Sequence, residues 1–336
     1  MTRRPAALAL VLLLVLLLLP GAAAQAQEIR WTMANEYPAS SIQGEGDARF
    51  AKEVAERSGN RIQVTNQYDA SSGFKSREMV DAVAKNAVPL ANAYMGALGD
   101  VDPVFLLPSL PFLAATPEQA QVLAQIARPA YEQALEKHNQ KLLYLSPWPA
   151  AGLWANKPID SAQALRGLRV RTADANGVAA FKGAGAVPVQ ISFADALPQL
   201  KAGQLDAVLS SGDGGAGQRL METLKHFTQI DYAVTMSVVT LNADAWNALD
   251  DDLQRAVLAA ATIVEARQWD VLKTRVAANY KAMREAGVTI TTELTPEYRQ
   301  ALRKAGQGVV SDWARTMGPT GAEILATYRA RLESAR

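Results

Sequence analysis

The stretch from Gly167 to Asp213 constrains the fold more than any other. GLRVRT opens it, with Leu168–Val170 reading as a short strand that delivers Arg171 to its end. A helix from about Asn176 closes at the turn GAGAVP, and a second strand follows. A helix from about Phe193 then leads to an apolar strand, Ala207–Ser210, which ends in a Ser/Gly/Asp loop. This βαβαβ rhythm brings polar groups to strand ends, where open α/β sheets bind ligands. An arginine at such an end offers a rigid five-donor fork suited to a carboxylate.

The flanking chain repeats the theme. EIRWTMA (Glu28–Ala34) alternates as a strand and ends in the polar loop Asn35-Glu36-Tyr37-Pro38. An amphipathic helix is expected from about Ile42 to Arg57, then a strand over Arg61–Tyr68, a helix near Ser76–Lys85 and a strand over Val88–Tyr94. DPVFLLPSLPFL carries three prolines, which exclude a regular helix or central strand and leave a packed crossing segment. Pro117 to about His138 reads as a helix, and Lys141–Ser146 as a strand. Pro147-Trp148-Pro149 marks the first crossing between lobes, and Asp231–Ala233 the second, between strands over Leu224–Ile230 and Ala233–Leu241. From Trp246 to about Glu285 the chain is mostly helical, apart from a break at Leu249–Asp251. A helix of about 35 residues spans roughly 50 Å, enough to lie under both lobes. A short strand over Val288–Thr291 and two C-terminal helices, about Pro296–Gln307 and Val309–Ser334, complete the pattern.

The 336 residues suggest about two domains. Residues 1–26 stand apart: Arg3 and Arg4 precede the apolar run Ala6–Leu19, then a Pro-Gly break and a small-residue run. This is a secretory signal peptide, with cleavage expected after Ala24 or Ala26 and a periplasmic destination. Removing Arg3 and Arg4 from the 34 basic residues leaves 32 against 33 acidic ones. A near-neutral surface argues against nucleic acid or anionic membrane as the main partner. With no cysteine there are no disulfides, no cysteine-ligated zinc and no thiol catalysis.

Catalytic signatures are sparse. His138 and His226, the only histidines, read as surface or boundary residues, and HExxH, GxSxG and Walker A patterns are missing. Ser210 and Ser211 sit beside Asp213 with no histidine near in sequence. Glu36, Asp213 or Asp174 could serve acid–base chemistry, but no pattern supports it.

KPIDSAQALRGLRVRT followed by GAGAVPVQISFADALPQLKAGQLDAV resembles the core of the DctP-type periplasmic solute-binding proteins of TRAP (tripartite ATP-independent periplasmic) transporters. FAKEVAERSGNRIQV, VFLLPSLPFL and AWNALDDDLQRAVLAAA are similar to further segments of that family. The resemblance covers essentially the whole chain after residue 26. It implies an α/β, two-lobed periplasmic-binding-protein-like fold with a long helix spanning both lobes. On that basis lobe I takes 27–148 plus about 233–276, and lobe II takes 149–232 plus about 277–336. It also implies closure on one small anionic solute and its delivery to membrane permease subunits driven by an ion gradient. No cofactor or metal is expected, and the chain is expected to act as a monomer. A periplasmic enzyme or a sensor-input domain on the same scaffold is the alternative.

Arg171 falls on the carboxylate-binding arginine of the resembled family, a surface or structural role being the bland alternative. Arg169 lies on the same strand face and ranks second, either as a ligand contact or as a more buried ionic partner. Many acid-binding members carry another arginine about twenty residues upstream, where this chain reads Ala150-Ala151-Gly152. Where the family often has an asparagine, it reads Ser210-Ser211-Gly212-Asp213. Fewer cations, with Trp148 and Trp154 nearby, suggest a monocarboxylate with a bulky or aromatic body, unless both tryptophans are hinge core. Strand ends add Glu36, Tyr37, Asn92, Tyr94, Phe193, Ser210 and Asp213 as ligand contacts, with Phe74 a weaker candidate. Phe193 could equally pack at its helix N-terminus. Asp213 would repel an anion, so it is expected to pair with Arg171 or to bind a hydroxyl or amine of the ligand.

Overall fold

A computed structural model describes residues 28–213 and 219–334. The expected signal peptide lies outside the described residues.

The first lobe opens with β1 (Ile29–Asn35), α1 (Ile42–Arg57), β2 (Ile62–Gln67), α2 (Ser76–Ala84) and β3 (Leu90–Tyr94). The proline-rich segment that follows forms a 3-10 helix, Pro103–Ser109, and α3 (Pro117–Glu136) and β4 (Gln140–Pro147) come next. In the second lobe lie β5 (Gly152–Ala155), α4 (Ala162–Leu165), β6 (Arg169–Thr172) and α5 (Ala175–Gly183). They continue into β7 (Val187–Gln190), α6 (Phe193–Lys201), β8 (Ala207–Ser210) and β9 (His226–Thr228). The chain then returns through β10 (Met236–Asn242), α7 (Ala243–Asn247), α8 (Asp251–Glu285), β11 (Thr289–Thr291) and α9 (Pro296–Ser334).

These strands make two sheets, ordered β2-β1-β3-β10-β4 and β11-β9-β5-β8-β6-β7. In the first, β1 runs parallel to β2 and β3, and β10 inserts antiparallel between β3 and β4. In the second, β6 is parallel to β7 and β8, while β5 is antiparallel to β8 and β9. The two connections between sheets lie side by side. Trp148 N–H donates to Thr235 O (2.8 Å), Ala151 N–H to Ala233 O (3.1 Å) and Tyr232 N–H to Ala151 O (3.0 Å).

Local signals explain the element boundaries. Ser41 caps α1 by accepting from Gly44 N–H, and Thr116 and Gln119 form a reciprocal capping box at α3, with Pro117 at the first helical position. Gly167 enters β6 with φ 74°, a conformation costly for residues with a Cβ. The long α8 packs on α1 and β4 and reaches β11, so it spans both sheets. One boundary differs from expectation. The C-terminal helix runs unbroken through Gly308 and breaks at Gly318 (φ 61°), because Pro319 cannot donate to the preceding turn. α9 also packs on elements of both lobes: Trp313 Nε1–H donates to Pro103 O (2.7 Å) and Tyr328 Oη–H to Leu113 O (3.1 Å).

Behind the first sheet, Trp31, Met33, Phe50, Tyr144 and Val257 form an apolar layer with α1 and α8. Deep in that lobe lies Asp47, whose carboxylate accepts from Asn35 Nδ2 (2.6 Å), Asn92 Nδ2 (2.7 Å) and Tyr144 Oη (3.0 Å). Burial pushes its pKa up to about 7, against the lowering effect of these three donors. A raised folded-state pKa means the folded state holds a proton that the unfolded state has lost, so this contribution to stability falls as pH rises from about 4 to about 7. The melting stability of wild type relative to Asp47→Asn should therefore drop by about 2 kcal/mol between pH 5 and pH 8. A pH-independent difference between the two proteins would contradict this.

Candidate ligand-binding cleft

Between the lobes, β6 and the first turn of α6 face β1, β3 and the hinge. Arg171 near the end of β6 is 3% exposed. Its Nε–H donates to Ile191 O (2.9 Å), and one terminal nitrogen lies 3.5 Å from Leu209 O. The guanidinium carbon sits 6.0 Å from the centre of the Phe193 ring. No carboxylate among the described residues forms an ion pair with it. A buried guanidinium satisfied only by backbone carbonyls keeps a full positive charge in an environment that penalises it.

Arg171 is shared by two chambers. The inner one has about 50 Å³ open to the centre of a water-sized sphere and is walled by Tyr37, Tyr94, Trp148, Phe193 and Tyr232, with Asp174, Ser210, Ser211 and Thr235 as polar edges. The Tyr37 ring meets Trp148 edge-on at 4.6 Å and lies 5.9 Å from Phe193, so side chains from both lobes close one aromatic wall. The outer chamber, about 220 Å³, is lined by Glu36, Lys75, Arg77, Glu78 and Asp195.

The lobes are latched across this cleft. Glu36 Oε2 accepts from Ser76 N–H at the start of α2 (2.9 Å), and its Oε1 accepts from Phe193 N–H at the start of α6 (3.1 Å). One carboxylate thus satisfies orphan donors at two helix N-termini, one in each lobe, where the helix dipole also favours negative charge. Tyr94 Oη–H donates to Asp174 Oδ2 (2.8 Å), and Lys75 pairs with Asp195 (2.8 Å). Burial raises the pKa of Asp174, opposed by hydrogen bonds from Gly177 N–H and Tyr94. Burial, with the Glu36 charge adding to it, pushes the Tyr37 phenol up, so that phenol stays protonated.

Residues 33–316 match the DctP family, bacterial extracellular solute-binding protein family 7. The chain belongs to this family. Its fold superposes on DctP7, a Bordetella pertussis extracytoplasmic solute receptor binding pyroglutamic acid, with a TM-score of 0.85 and 27% identity over 89% of this chain and 99% of that one. A marine-metagenome TRAP solute-binding protein specific for pyroglutamate gives the same TM-score at 25% identity, over 90% and 99% of the two chains. The C4-dicarboxylate-binding periplasmic protein DctP of Rhodobacter capsulatus is 26% identical over 294 residues, 85% of this chain and 86% of that protein.

Within this DctP fold, the cleft gathers some of the residues expected from sequence and disperses others. Arg171, Tyr37, Tyr94, Trp148, Phe193 and Ser210 line the inner chamber, and Glu36 the outer one. Arg169 is not the more buried partner. It is exposed at the base of β6 and bound to Asp206 (2.7 Å), because two residues of strand rise carry it out of the cleft on the same face. Trp154 lies behind the wall, donating from Nε1 to Ser211 O (3.0 Å) and packed edge-on against Phe227. Asn92 turns into the first lobe to hold Asp47. Phe74 is half-buried against the core and lies outside both chambers. Asp213 pairs not with Arg171 but with Arg275 of α8 (2.6 Å), and it accepts from Ile42 N–H at the start of α1 (2.7 Å). Alternation along β8 could not foresee a partner 62 residues away on another element.

Tyr232, Thr235 and Ser211 were not among the sequence candidates. Tyr232 and Thr235 sit on the second crossing, which strand-end reasoning treats as a connection rather than as a wall. Among the described residues, no group of three or more acidic or histidine side chains could hold a metal ion. Replacing Glu36 by Gln removes the charge from hydrogen bonds that cross the cleft, each worth about 1.5–3 kcal/mol when one partner is ionised. Stopped-flow displacement should show bound ligand leaving Glu36→Gln at least several-fold faster. Arg169→Ala should leave ligand affinity unchanged in calorimetry, and a tenfold loss would return Arg169 to the site.

Proposed function

We propose that this protein is an exported receptor that captures a small organic monocarboxylate between its lobes, pairs it with Arg171 and hands it to TRAP permease subunits. The single observation behind the reading is the Arg171 guanidinium, buried in an aromatic cleft and without an acidic partner among the described residues. A carboxylate placed there supplies the missing counter-charge bidentately, and closure removes the water that would screen the pair.

The body of the ligand is set by the walls. Among the described residues, Arg171 is the one cationic residue lining the inner chamber, where Asp174 disfavours a second carboxylate. Gly152 backs onto Phe227 rather than opening space, and the packed rings of Tyr37, Trp148 and Phe193 enclose a compact body rather than admitting a bulky one. A small ring with one carboxylate fits, and relatives at 25–27% identity bind pyroglutamate.

Thermal melting tests this reading. A ligand at a hundred times its dissociation constant stabilises the fold by about 2.7 kcal/mol, so pyroglutamate should raise the wild-type midpoint by several degrees and succinate should raise it less. Arg171→Gln removes one partner of a buried charge pair, costing about 2–5 kcal/mol of binding, so the same ligand concentration should raise its midpoint by about a third of the wild-type shift or less. Equal responses from wild type and variant would make Arg171 structural.

A further inference from the structure

The second crossing between lobes carries a polar group that the fold does not use. Tyr232 is 1% exposed, and its hydroxyl is sealed from solvent with no hydrogen-bond partner among the described residues. Its ring is clamped, stacked 5.9 Å from Phe181 and edge-on to Phe112 at 5.6 Å. Its backbone is fixed as well, with N–H donating to Ala151 O (3.0 Å) and C=O accepting from Phe112 N–H (2.7 Å). The residue therefore cannot swing its hydroxyl out to water without dismantling the hinge.

Tyr232 lines the same chamber as Arg171. The hydroxyl lies close enough to Asp174 to feel its charge, and close enough to Tyr94 to influence the Tyr94 phenol. Burial keeps the Tyr232 phenol protonated, so it presents an O–H donor. Its neighbours are already engaged: Asp174 accepts from Gly177 N–H and Tyr94 Oη, and Trp148 Nε1–H is committed to Ser237 Oγ. The hydroxyls of Tyr37, Ser210 and Thr235 in this wall also make no side-chain hydrogen bond among the described residues, but of these donors it is Tyr232's that is buried away from water. Leaving such a buried donor unmade is costly, so a ligand that supplies an acceptor is favoured over one that cannot.

We propose that the Tyr232 hydroxyl donates to a neutral oxygen of the ligand, a ring carbonyl or its equivalent, and thereby makes this receptor select oxygenated acids over their purely hydrocarbon counterparts. The proposal rests on the reading that Arg171 holds the carboxylate, and it adds a second anchor on the hinge. Arg171 on the second sheet and Tyr232 on the crossing then grip the two ends of one small molecule. An acid that satisfies both is one whose carboxylate and carbonyl are held apart by a compact ring.

Calorimetry with two probes tests it. Pyroglutamate and cyclopentanecarboxylate share a five-membered ring and a carboxylate, and the second lacks the ring amide with its carbonyl. Wild type should bind pyroglutamate about ten- to hundredfold more tightly than cyclopentanecarboxylate. Tyr232→Phe should lose that factor for pyroglutamate, keep the wild-type affinity for cyclopentanecarboxylate and melt without ligand at the wild-type temperature. Equal weakening of both probes, or no weakening of either, overturns the role of Tyr232 while leaving the Arg171 reading intact. Wild type binding neither probe overturns the proposal. Arg171→Gln reports separately: if it binds pyroglutamate as wild type does, the carboxylate reading itself has failed.

Discussion

A positive charge held out of water, with no ion-pair partner among the described residues, organises this molecule. Arg171 is fixed by Ile191 and Leu209 carbonyls, which orient the fork but do not neutralise it. Nearly every nearby feature follows from that choice. Asp213, the acidic residue in the adjacent loop, is drawn off by Arg275 of α8, and Asp206 is occupied by Arg169 at the far end of the same strand. Glu36 spends its carboxylate on two helix N-termini. Asp174 is committed to capping α5 and to Tyr94. The acids around the cleft each have another partner, and among the described residues none of them forms an ion pair with the guanidinium.

On the proposed function, the same arrangement couples closing to binding. The contacts that join the lobes (Glu36 to Phe193, Tyr94 to Asp174, Lys75 to Asp195) surround Arg171 rather than lying at a distant rim. Bringing them together also brings Phe193 over the guanidinium and against Tyr37. That step lowers the local dielectric and strengthens whatever pairs with Arg171. A lobe that closed without an anion would bury the charge uncompensated, which is costly. On the proposed function, population of the closed state is tied to differential affinity for the ligand, as any two-state receptor requires.

Much of this was legible in the chain. The strand that ends in Arg171, the return of the chain to the first sheet as β10, and the long α8 all rest on local periodicity and on Gly and Pro punctuation. Those signals are short-range and survive in sequence. Strand-end placement also put Tyr37, Tyr94, Phe193 and Ser210 at positions that line the inner chamber. It failed where depth along a strand mattered, as with Arg169, and where a polar strand end turned away from the cleft, as with Asn92 and its bond to Asp47. The partner of Asp213 comes from a helix far along the chain, and no spacing encodes that. Tyr232 was passed over for a different reason: a crossing segment reads as connection, and only its packing shows that it is also a wall.

The way β10 is threaded has a mechanical meaning. Because the chain leaves the first sheet by one crossing and returns by another beside it, the lobes are joined by a hydrogen-bonded ribbon, Trp148 to Thr235 and Ala151 to both Ala233 and Tyr232. The crossings are extended segments rather than strands, held together by these three backbone hydrogen bonds. On the proposed function, such a joint would open as a door hinge with one easy axis rather than as a ball and socket. On that same reading, the paired crossings would set the path of opening, and closing would bring Phe193 back to Glu36.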